Sequence, residues 1–247
     1  MERTNQKGIW LAGYFIIMMF LFTRGFYTPF FVLLITFLLI IILLKEAERL
    51  FAWMIVSFFL GNLLVGYLDN FIESFHLSPF SLIMLSQLLW LVPILMMSYV
   101  IKQFKKELSP YFHLPLFTGE IQLPFRIVFS LKSFSLIVVL LAVIAMAGSL
   151  LLQKEGIQWR PFLLILLFAT VNAFLEEVLW RGILLSKMIS ITSRPIGLIV
   201  SCFAFGINTT MFGFSLVICM MYVFLGLILG FVTIRTKVFF LRFLFIA

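Results

Sequence analysis

Two neighbouring glutamates and an arginine lie within a long apolar stretch of this chain. Segment 174–182 reads Phe-Leu-Glu-Glu-Val-Leu-Trp-Arg-Gly and contains Glu176, Glu177 and Arg181. A charge at the centre of a membrane-spanning helix costs about 3 kcal/mol on insertion scales, so these side chains should not face lipid. We expect them to face the interior of a helix bundle, where an acidic side chain can act on water.

Helical spacing separates the roles of the two glutamates. At about 100° per residue, Asn172, Glu176, Glu177, Trp180 and Arg181 share one stripe of a helix. Glu177 and Arg181 have the i,i+4 spacing of an intrahelical ion pair, whereas Glu176 has no such partner. Withdrawal from water makes an unpaired carboxylate a stronger base, so Glu176 is the candidate general base.

Two other interpretations of this charged cluster stay open. The three charged residues could form a buried ion-pair network that only locks the helix against its neighbours. They could also belong to a proton or cation path, but such a path usually places acids on several spans. The remaining acids of this chain, Asp69 and Glu73 among them, lie in or near predicted loops.

The elements that must position the cluster are apolar helices. The chain has 247 residues, of which 64% are hydrophobic and 11% charged, and this excludes a soluble domain of ordinary composition. Its apolar runs are continuous and not alternating, as in membrane helices. They predict an all-α, polytopic transmembrane helix bundle of about eight spans, near residues 9–23, 26–44, 50–68, 80–101, 134–152, 161–189, 195–211 and 215–234.

The basic residues favour one orientation of this bundle. With a cytoplasmic N-terminus, the outer segments carry only Arg24, Lys154 and Arg160 of the eighteen lysines and arginines. Both termini are therefore predicted to be cytoplasmic. The first span is expected to be an uncleaved helix, because Arg24 stands where a signal-peptide cleavage site needs small residues. A bend at Gly213 leaves open a re-entrant hairpin in place of the last two spans.

The composition predicts a single membrane domain over residues 1–247, with four helices in 1–101 and four in 134–247. The basic loop 102–133 between them is expected to rest on anionic headgroups. Basic residues are too dispersed for a nucleic-acid groove, so no nucleic-acid partner is predicted. Cys202 and Cys219 lie in apolar runs, which excludes a disulfide framework and a cysteine-rich zinc module.

The charged cluster resembles a known motif. A Glu-Glu-x-x-x-Arg string on a hydrophobic helix, followed by a helix with Phe-x-x-x-His, is similar to the CPBP (Abi) family of intramembrane CAAX-type proteases and bacteriocin-processing or self-immunity proteins. The similarity covers roughly residues 130–237 and makes 134–247 a protease-like core. The resemblance implies that Glu176 activates the attacking water and that Glu177 and Arg181 support it. It also implies a prokaryotic plasma membrane and a hydrophobic peptide or membrane-protein substrate.

The second motif departs from the family pattern. It falls in segment 201–211, where Phe205 matches the Phe and Thr209 stands in place of the His. Counting along the predicted helices places Glu176 and Thr209 at one depth, about 20 Å from the cytoplasmic helix ends. The Thr209 hydroxyl or the Asn208 amide could orient a water, although neither accepts a proton as imidazole does. An ordinary helix threonine, bonded to backbone, is the alternative for Thr209.

A further departure concerns the family's last helix, which carries another His and an Asn or Asp. The chain stops at Ala247 before such a helix. In the family those groups are thought to stabilise the oxyanion, and losing one such donor typically costs about a hundredfold or more in rate. The sequence therefore predicts either a CAAX-type endopeptidase scaffold or a catalytically impaired relative that acts as an immunity or partner-binding protein. Transport is a third class.

The expected site has four catalytic and four binding residues. Glu176, Glu177, Arg181 and Thr209 form the first group, and Asn172, Trp180, Phe205 and Asn208 the second. No cofactor is predicted, and a divalent metal stays an open alternative. A zincin or a serine–histidine dyad would need a histidine at membrane depth, but His76 and His113 both lie in polar connecting stretches.

Overall fold

The computed structural model describes residues 5–75, 77–111, 120–122, 128–130 and 159–236. The helices of the first part are α1 (Gln6–Thr23), α2 (Tyr27–Ile41), α3 (Glu46–Glu73), α4 (Pro79–Leu88) and α5 (Leu91–Gln103). Two short strands follow, β1 (Glu120–Gln122) and β2 (Val128–Ser130). The second part contains α6 (Trp159–Glu177), a π-helical segment (Val178–Leu184), α7 (Leu185–Ile191), α8 (Arg194–Asn208), a 3-10 turn (Thr209–Phe212) and α9 (Leu216–Thr236).

The predicted all-α bundle is confirmed apart from the strand pair. The two strands run antiparallel within the predicted basic loop, with Ile121 opposite Phe129. Among the described residues, four helical segments are long and apolar enough to cross a membrane: α1, α3, α4 together with α5, and α9. The chain is thus a membrane protein, as predicted. The number of crossings and the orientation of the termini stay predictions, and the predicted span 134–152 lies outside the described residues.

The span predicted at 80–101 is two helices: one proline starts the first, and a second proline explains the break between them. Pro79 is the first residue of α4, where a missing N–H costs nothing, and the Ser78 side chain caps this end by accepting from the Ser81 N–H. Pro93 falls in the first turn of α5. Its ring would clash with the carbonyl of Leu89 in a continuous helix, so α4 ends at Leu88 and α5 begins three residues later.

An aromatic core holds α1, α2 and α3 together. Phe15 and Phe22 of α1, Phe30 of α2, and Phe58 and Phe59 of α3 are all buried. Their rings meet edge-on or tilted, with the Phe30 and Phe59 centroids 5.1 Å apart and those of Phe22 and Phe59 5.5 Å apart. Such offset geometries are the favourable ones for aromatic pairs, so shape complementarity fixes how these helices pack.

Several contacts join the ends of different helices on one side of the bundle. The Asn5 amide, which precedes α1, donates to the Glu48 carboxylate at the start of α3 over 2.9 Å. Lys106, which follows α5, lies 3.2 Å from the Glu46 carboxylate. The start of α1 also packs directly on the end of α7. We call this side the basic end; its described basic residues are Lys7, Lys45, Arg49, Lys102, Lys105, Lys106, Lys187, Arg194 and Arg235.

Candidate functional site

The two glutamates stand where α6 gives way to a π-helical segment. Glu177 is the last residue of α6, and the wider π turns run from Val178 to Leu184. Arg181 and Trp180 belong to this segment. Insertions of π-helix into α-helices are rare and often coincide with functional sites, because they change the direction in which side chains point. The local backbone is therefore unusual at the predicted motif.

The predicted ion pair of this motif is present and buried. Arg181 Nη1 lies 3.1 Å from Glu177 Oε1, with the two side chains 4% and 7% exposed. The Arg181 guanidinium also lies over the Phe205 ring, 4.1 Å from its centroid, as a cation–π contact. Glu177 Oε2 and Arg181 Nη2 have no hydrogen-bond partner within the described part of the chain. The pair thus ties the π segment to α8.

Trp180 joins the two parts of the bundle. Its ring packs edge-on against Phe58 of α3 and Phe205 of α8, with centroid distances of 5.9 and 5.6 Å. A cavity of about 10 Å³, lined in part by Trp180, Arg181 and Cys202, lies beside it. That volume holds about one water and admits no peptide. The Trp180 side of the helix is therefore closed, and the contacts of Trp180 are those of a core residue.

Glu176 has a different environment from its neighbour Glu177. Its side chain is only partly buried, and Oε1 accepts a hydrogen bond of 3.3 Å from the Asn172 amide. Within the described residues it has no ion-pair partner. The carboxylate also lies within electrostatic range of the Tyr222 hydroxyl on α9. Glu176 is therefore held by one amide and is more accessible than Glu177.

Thr209 is buried, and its hydroxyl already has partners. The hydroxyl donates to the Gly206 carbonyl over 2.7 Å and lies 3.2 Å from Cys219 Sγ on α9. No hydrogen bond joins Thr209 to Glu176 among the residues described. These contacts correspond to the alternative interpretation of an ordinary, backbone-bonded threonine. The hydrogen bond to the Gly206 carbonyl uses the hydroxyl proton of Thr209, so only the oxygen lone pairs could accept a hydrogen bond from a water.

The two positions nevertheless share one level of the bundle. Glu176 lies fifteen positions before the last residue of α7, and Thr209 fifteen positions after the first residue of α8. Their neighbours on α9, Tyr222 and Cys219, are three residues apart and so lie one turn apart on one helix face. The Thr209 hydroxyl thus contacts α9 one turn before Tyr222, on whose hydroxyl the charge of Glu176 acts.

The remaining predicted residues lie around this stretch. Phe205 contacts both Trp180 and Tyr222, the latter with a centroid distance of 5.7 Å. Asn208 is buried, and its Oδ1 has no hydrogen-bond partner among the described residues. Tyr222 and Cys219 were not predicted as site residues. The sequence signal for these two residues was weak, because it consists only of a hydroxyl and a thiol three residues apart within an apolar run.

Small residues bring α8 and α9 into close contact here. A Cβ added at Gly206 would lie 2.3 Å from Val223 Cγ2 and 2.8 Å from the Cys219 carbonyl oxygen. A Cβ at Gly230 would lie 2.5 Å from a methyl carbon of Leu198. Such close helix packing through small residues is common in membranes, and here it sets the position of Tyr222 relative to the α6 glutamates.

The described residues contain no group of three or more His, Cys, Asp or Glu side chains arranged to hold a metal ion. Both histidines, His76 and His113, lie outside those residues.

Comparison with known families finds a match in the second part of the chain. Residues 158–245 match the model of the family described as type II CAAX prenyl endopeptidase Rce1-like. This region of the chain is similar to that family. The Rce1-like region starts just before α6 and includes Glu176, Glu177, Arg181 and Thr209. No curated protein and no solved structure matches the chain.

The match confirms the predicted resemblance and shifts its bounds. The Rce1-like region begins at 158, later than the predicted 130, and ends at 245, beyond the predicted 237. It supports a CAAX-type intramembrane protease-like scaffold for α6 to α9. The bacteriocin-immunity side of the predicted resemblance stays a prediction.

Proposed function

We propose that the protein is an intramembrane endopeptidase of the CAAX type, in which Glu176 activates the attacking water. The observation that carries this proposal is the contrast between adjacent carboxylates. Glu177 is buried and neutralised by Arg181, whereas Glu176 is partly accessible, has no ion pair among the described residues and accepts one hydrogen bond from Asn172. An unpaired carboxylate in a protected position suits a general base.

In the proposed reaction, Glu176 takes a proton from water while the water oxygen attacks the peptide carbonyl carbon. The tetrahedral intermediate then collapses as the C–N bond breaks and the proton passes from Glu176 to the leaving amine. Asn172 orients the carboxylate. Glu177 and Arg181 hold the π segment in place, and Arg181 rests on Phe205.

Polar groups near α9 would complete the site. Tyr222 supplies an O–H within electrostatic range of Glu176 and is a candidate donor to a developing oxyanion. Thr209 and Asn208, at the same level, would orient the water through oxygen lone pairs. Asn172, Phe205 and Asn208 complete the proposed binding site, and Trp180, predicted together with them, packs in the core beside it. Its substrate is a hydrophobic peptide or a membrane-protein segment, cut within a prokaryotic plasma membrane.

The deciding experiment replaces the proposed base. Purified Glu176→Gln protein is assayed for cleavage of a lipid-modified membrane peptide, with Glu73→Gln as a control for loss of an exposed acid. We expect Glu176→Gln to reduce the rate by about 10²- to 10⁴-fold, since general-base catalysis contributes that much. The control should cleave like the wild type. Undiminished cleavage by Glu176→Gln removes the enzyme proposal.

A second candidate function is a catalytically impaired, partner-binding or immunity protein. It is favoured by Thr209, which replaces the family's imidazole and whose hydroxyl is already bonded to Gly206 and Cys219. This alternative predicts that a hydrophobic peptide stays bound at equal affinity when Glu176 is changed to Gln, in a wild-type protein that does not cleave it. A turnover-competent wild type rejects it.

A further inference from the structure

A large cavity opens at the basic end, far from the glutamates. It measures about 810 Å³ and lies between the end of α7, the start of α8, the end of α9 and the segment after α5. This volume is in the range of sites that bind small molecules. Along α8, Arg194 of the cavity lies fifteen positions, or about 20 Å, before Thr209, so the cavity is separate from the proposed active site.

The walls of the cavity are apolar and its charged groups are cations. Ile189, Leu198, Phe231 and Ile234 provide aliphatic and aromatic surface, and Tyr111 adds a phenol ring. The charged residues in the lining are Arg194 and Arg235. An apolar wall beside two guanidinium groups fits an amphiphile with an anionic head.

The two arginines come from different helices and have no acidic partner within ion-pair distance among the described residues. Arg194 is the first residue of α8, and Arg235 lies in the last turn of α9, 5.4 Å from the Phe231 ring centroid. The positive end of the α8 dipole is at the same place. Ser193, the N-cap of α8, is buried, and its hydroxyl has no hydrogen-bond partner in the described part of the chain.

We propose that this cavity binds an anionic phospholipid. The phosphate lies between Arg194 and Arg235, and an acyl chain follows the apolar wall formed by Leu198, Phe231 and Ile234. Arginine suits this role because its planar guanidinium pairs with phosphate oxygens through two parallel hydrogen bonds. The phosphate would occupy the basic end, which is also where the distribution of basic residues predicts the cytoplasmic, anionic leaflet surface.

The test measures binding of defined probes to the purified full chain in a neutral detergent. The probes are dioctanoyl phosphatidylglycerol, dioctanoyl phosphatidylcholine and inorganic phosphate. The binding of each is measured by isothermal titration calorimetry. We expect the anionic lipid to bind at least about tenfold more tightly than either of the other two, since charge-assisted hydrogen bonds and the acyl wall both contribute.

Variants locate the site. Arg194→Gln and Arg235→Gln should each weaken binding of the anionic lipid by about tenfold, while Arg194→Lys keeps the charge and should lose less. Arg49→Gln removes an exposed arginine of the basic end outside the cavity and should change binding by less than about twofold. Melting curves of each variant establish that it is folded before titration.

Three outcomes overturn the proposal. The first is equal binding of the anionic and zwitterionic lipids, which would mean that the arginines select nothing. The second is inorganic phosphate binding as tightly as the lipid, which would make this a free-anion site. The third is an Arg194→Gln, Arg235→Gln double variant that binds the anionic lipid like the wild type.

Discussion

The aromatic core of α1 to α3 and the charged core of the Rce1-like region are both buried, yet they are stabilised in different ways. The aromatic core contains Phe15, Phe22, Phe30 and Phe59, whose side chains would also be compatible with lipid. The charged core contains Glu177 and Arg181, which would not. In a membrane, apolar side chains gain little by leaving lipid for protein, so the first core depends on packing alone. The second is held by the cost of separating or exposing its charges.

The largest expected effect on stability comes from breaking the ion pair on one side. Glu177→Leu leaves the Arg181 guanidinium buried without its carboxylate, and we expect a loss of about 3–5 kcal/mol in the free energy of unfolding. Denaturation of the purified protein in a detergent titration measures it.

The matched double variant, Glu177→Leu with Arg181→Met, should recover most of that loss, because a buried ion pair can be replaced by apolar side chains at little cost. If the double variant is as unstable as the single one, the pair has a structural role beyond charge compensation. That result would weaken the contrast between the two cores.

Truncation in the aromatic core tests the other side of the comparison. Phe59→Ala removes a ring that packs on Phe22 and Phe30. In a water-soluble protein such a change costs about 3–5 kcal/mol, part of which is transfer from water. We expect a smaller loss in the free energy of unfolding here, because the side chain is transferred from lipid and not from water. Peptide cleavage should be unchanged. A loss as large as in soluble cores would contradict the proposed difference.

Increasing the distance between α8 and α9 at the site should have an intermediate effect on stability. Gly206→Ala introduces a Cβ that overlaps Val223 and the Cys219 carbonyl, so α8 and α9 must move apart, at about 1–3 kcal/mol. Because α9 carries Tyr222, the change should also lower cleavage activity. Gly66→Ala, on α3, meets no neighbouring atom within 4 Å and is the control for a glycine-to-alanine change in a helix. Full activity in Gly206→Ala would show that the distance between α8 and α9 does not affect the site.

Tyr222→Phe isolates one hydroxyl of the site. The ring contacts with Phe205 and Phe214 remain, so stability should change by less than about 1 kcal/mol. If the O–H assists the oxyanion near Glu176, kcat falls by about tenfold or more while KM changes little. An unchanged kcat would leave Tyr222 as a packing residue.

The smallest effect is expected at the surface of the basic end. Lys106 and Glu46 form an ion pair of 3.2 Å whose side chains are 52% and 62% exposed. Exposed pairs contribute about 0–1 kcal/mol, so Glu46→Gln should be nearly silent in the same detergent titration. A loss comparable to that of Glu177→Leu would show that burial is not what distinguishes the two ion pairs.

Local sequence predicted those parts of the site that belong to a single helix. The Glu177–Arg181 pair follows from i,i+4 spacing, and the low solubility of charge in lipid requires it to face inward. The break between α4 and α5, by contrast, was not predicted, although Pro93 is visible in the sequence. Its effect depended on whether tertiary packing would tolerate a kinked continuous helix or separate it into two.

Contacts between helices could not be read from spacing. Thr209 was predicted either to orient water or to be an ordinary, backbone-bonded threonine, but its contact with Cys219 depends on the orientation of α8 against α9 and could not be predicted. The neighbour of Glu176 on α9, Tyr222, depends on the same crossing, which Gly206 permits by close approach.

What the sequence alone determined is a set of apolar helices, one of them with an inward-facing charged stripe, because hydrophobic periodicity and the cost of charge in lipid act within each segment. The tertiary structure decided which glutamate is buried behind Arg181 and Phe205 and which stays partly accessible. It also decided that Arg194 and Arg235, forty-one positions apart in the chain, line one cavity. These outcomes depend on how side chains of different helices interlock, and that is a property of the packed bundle and not of any one helix.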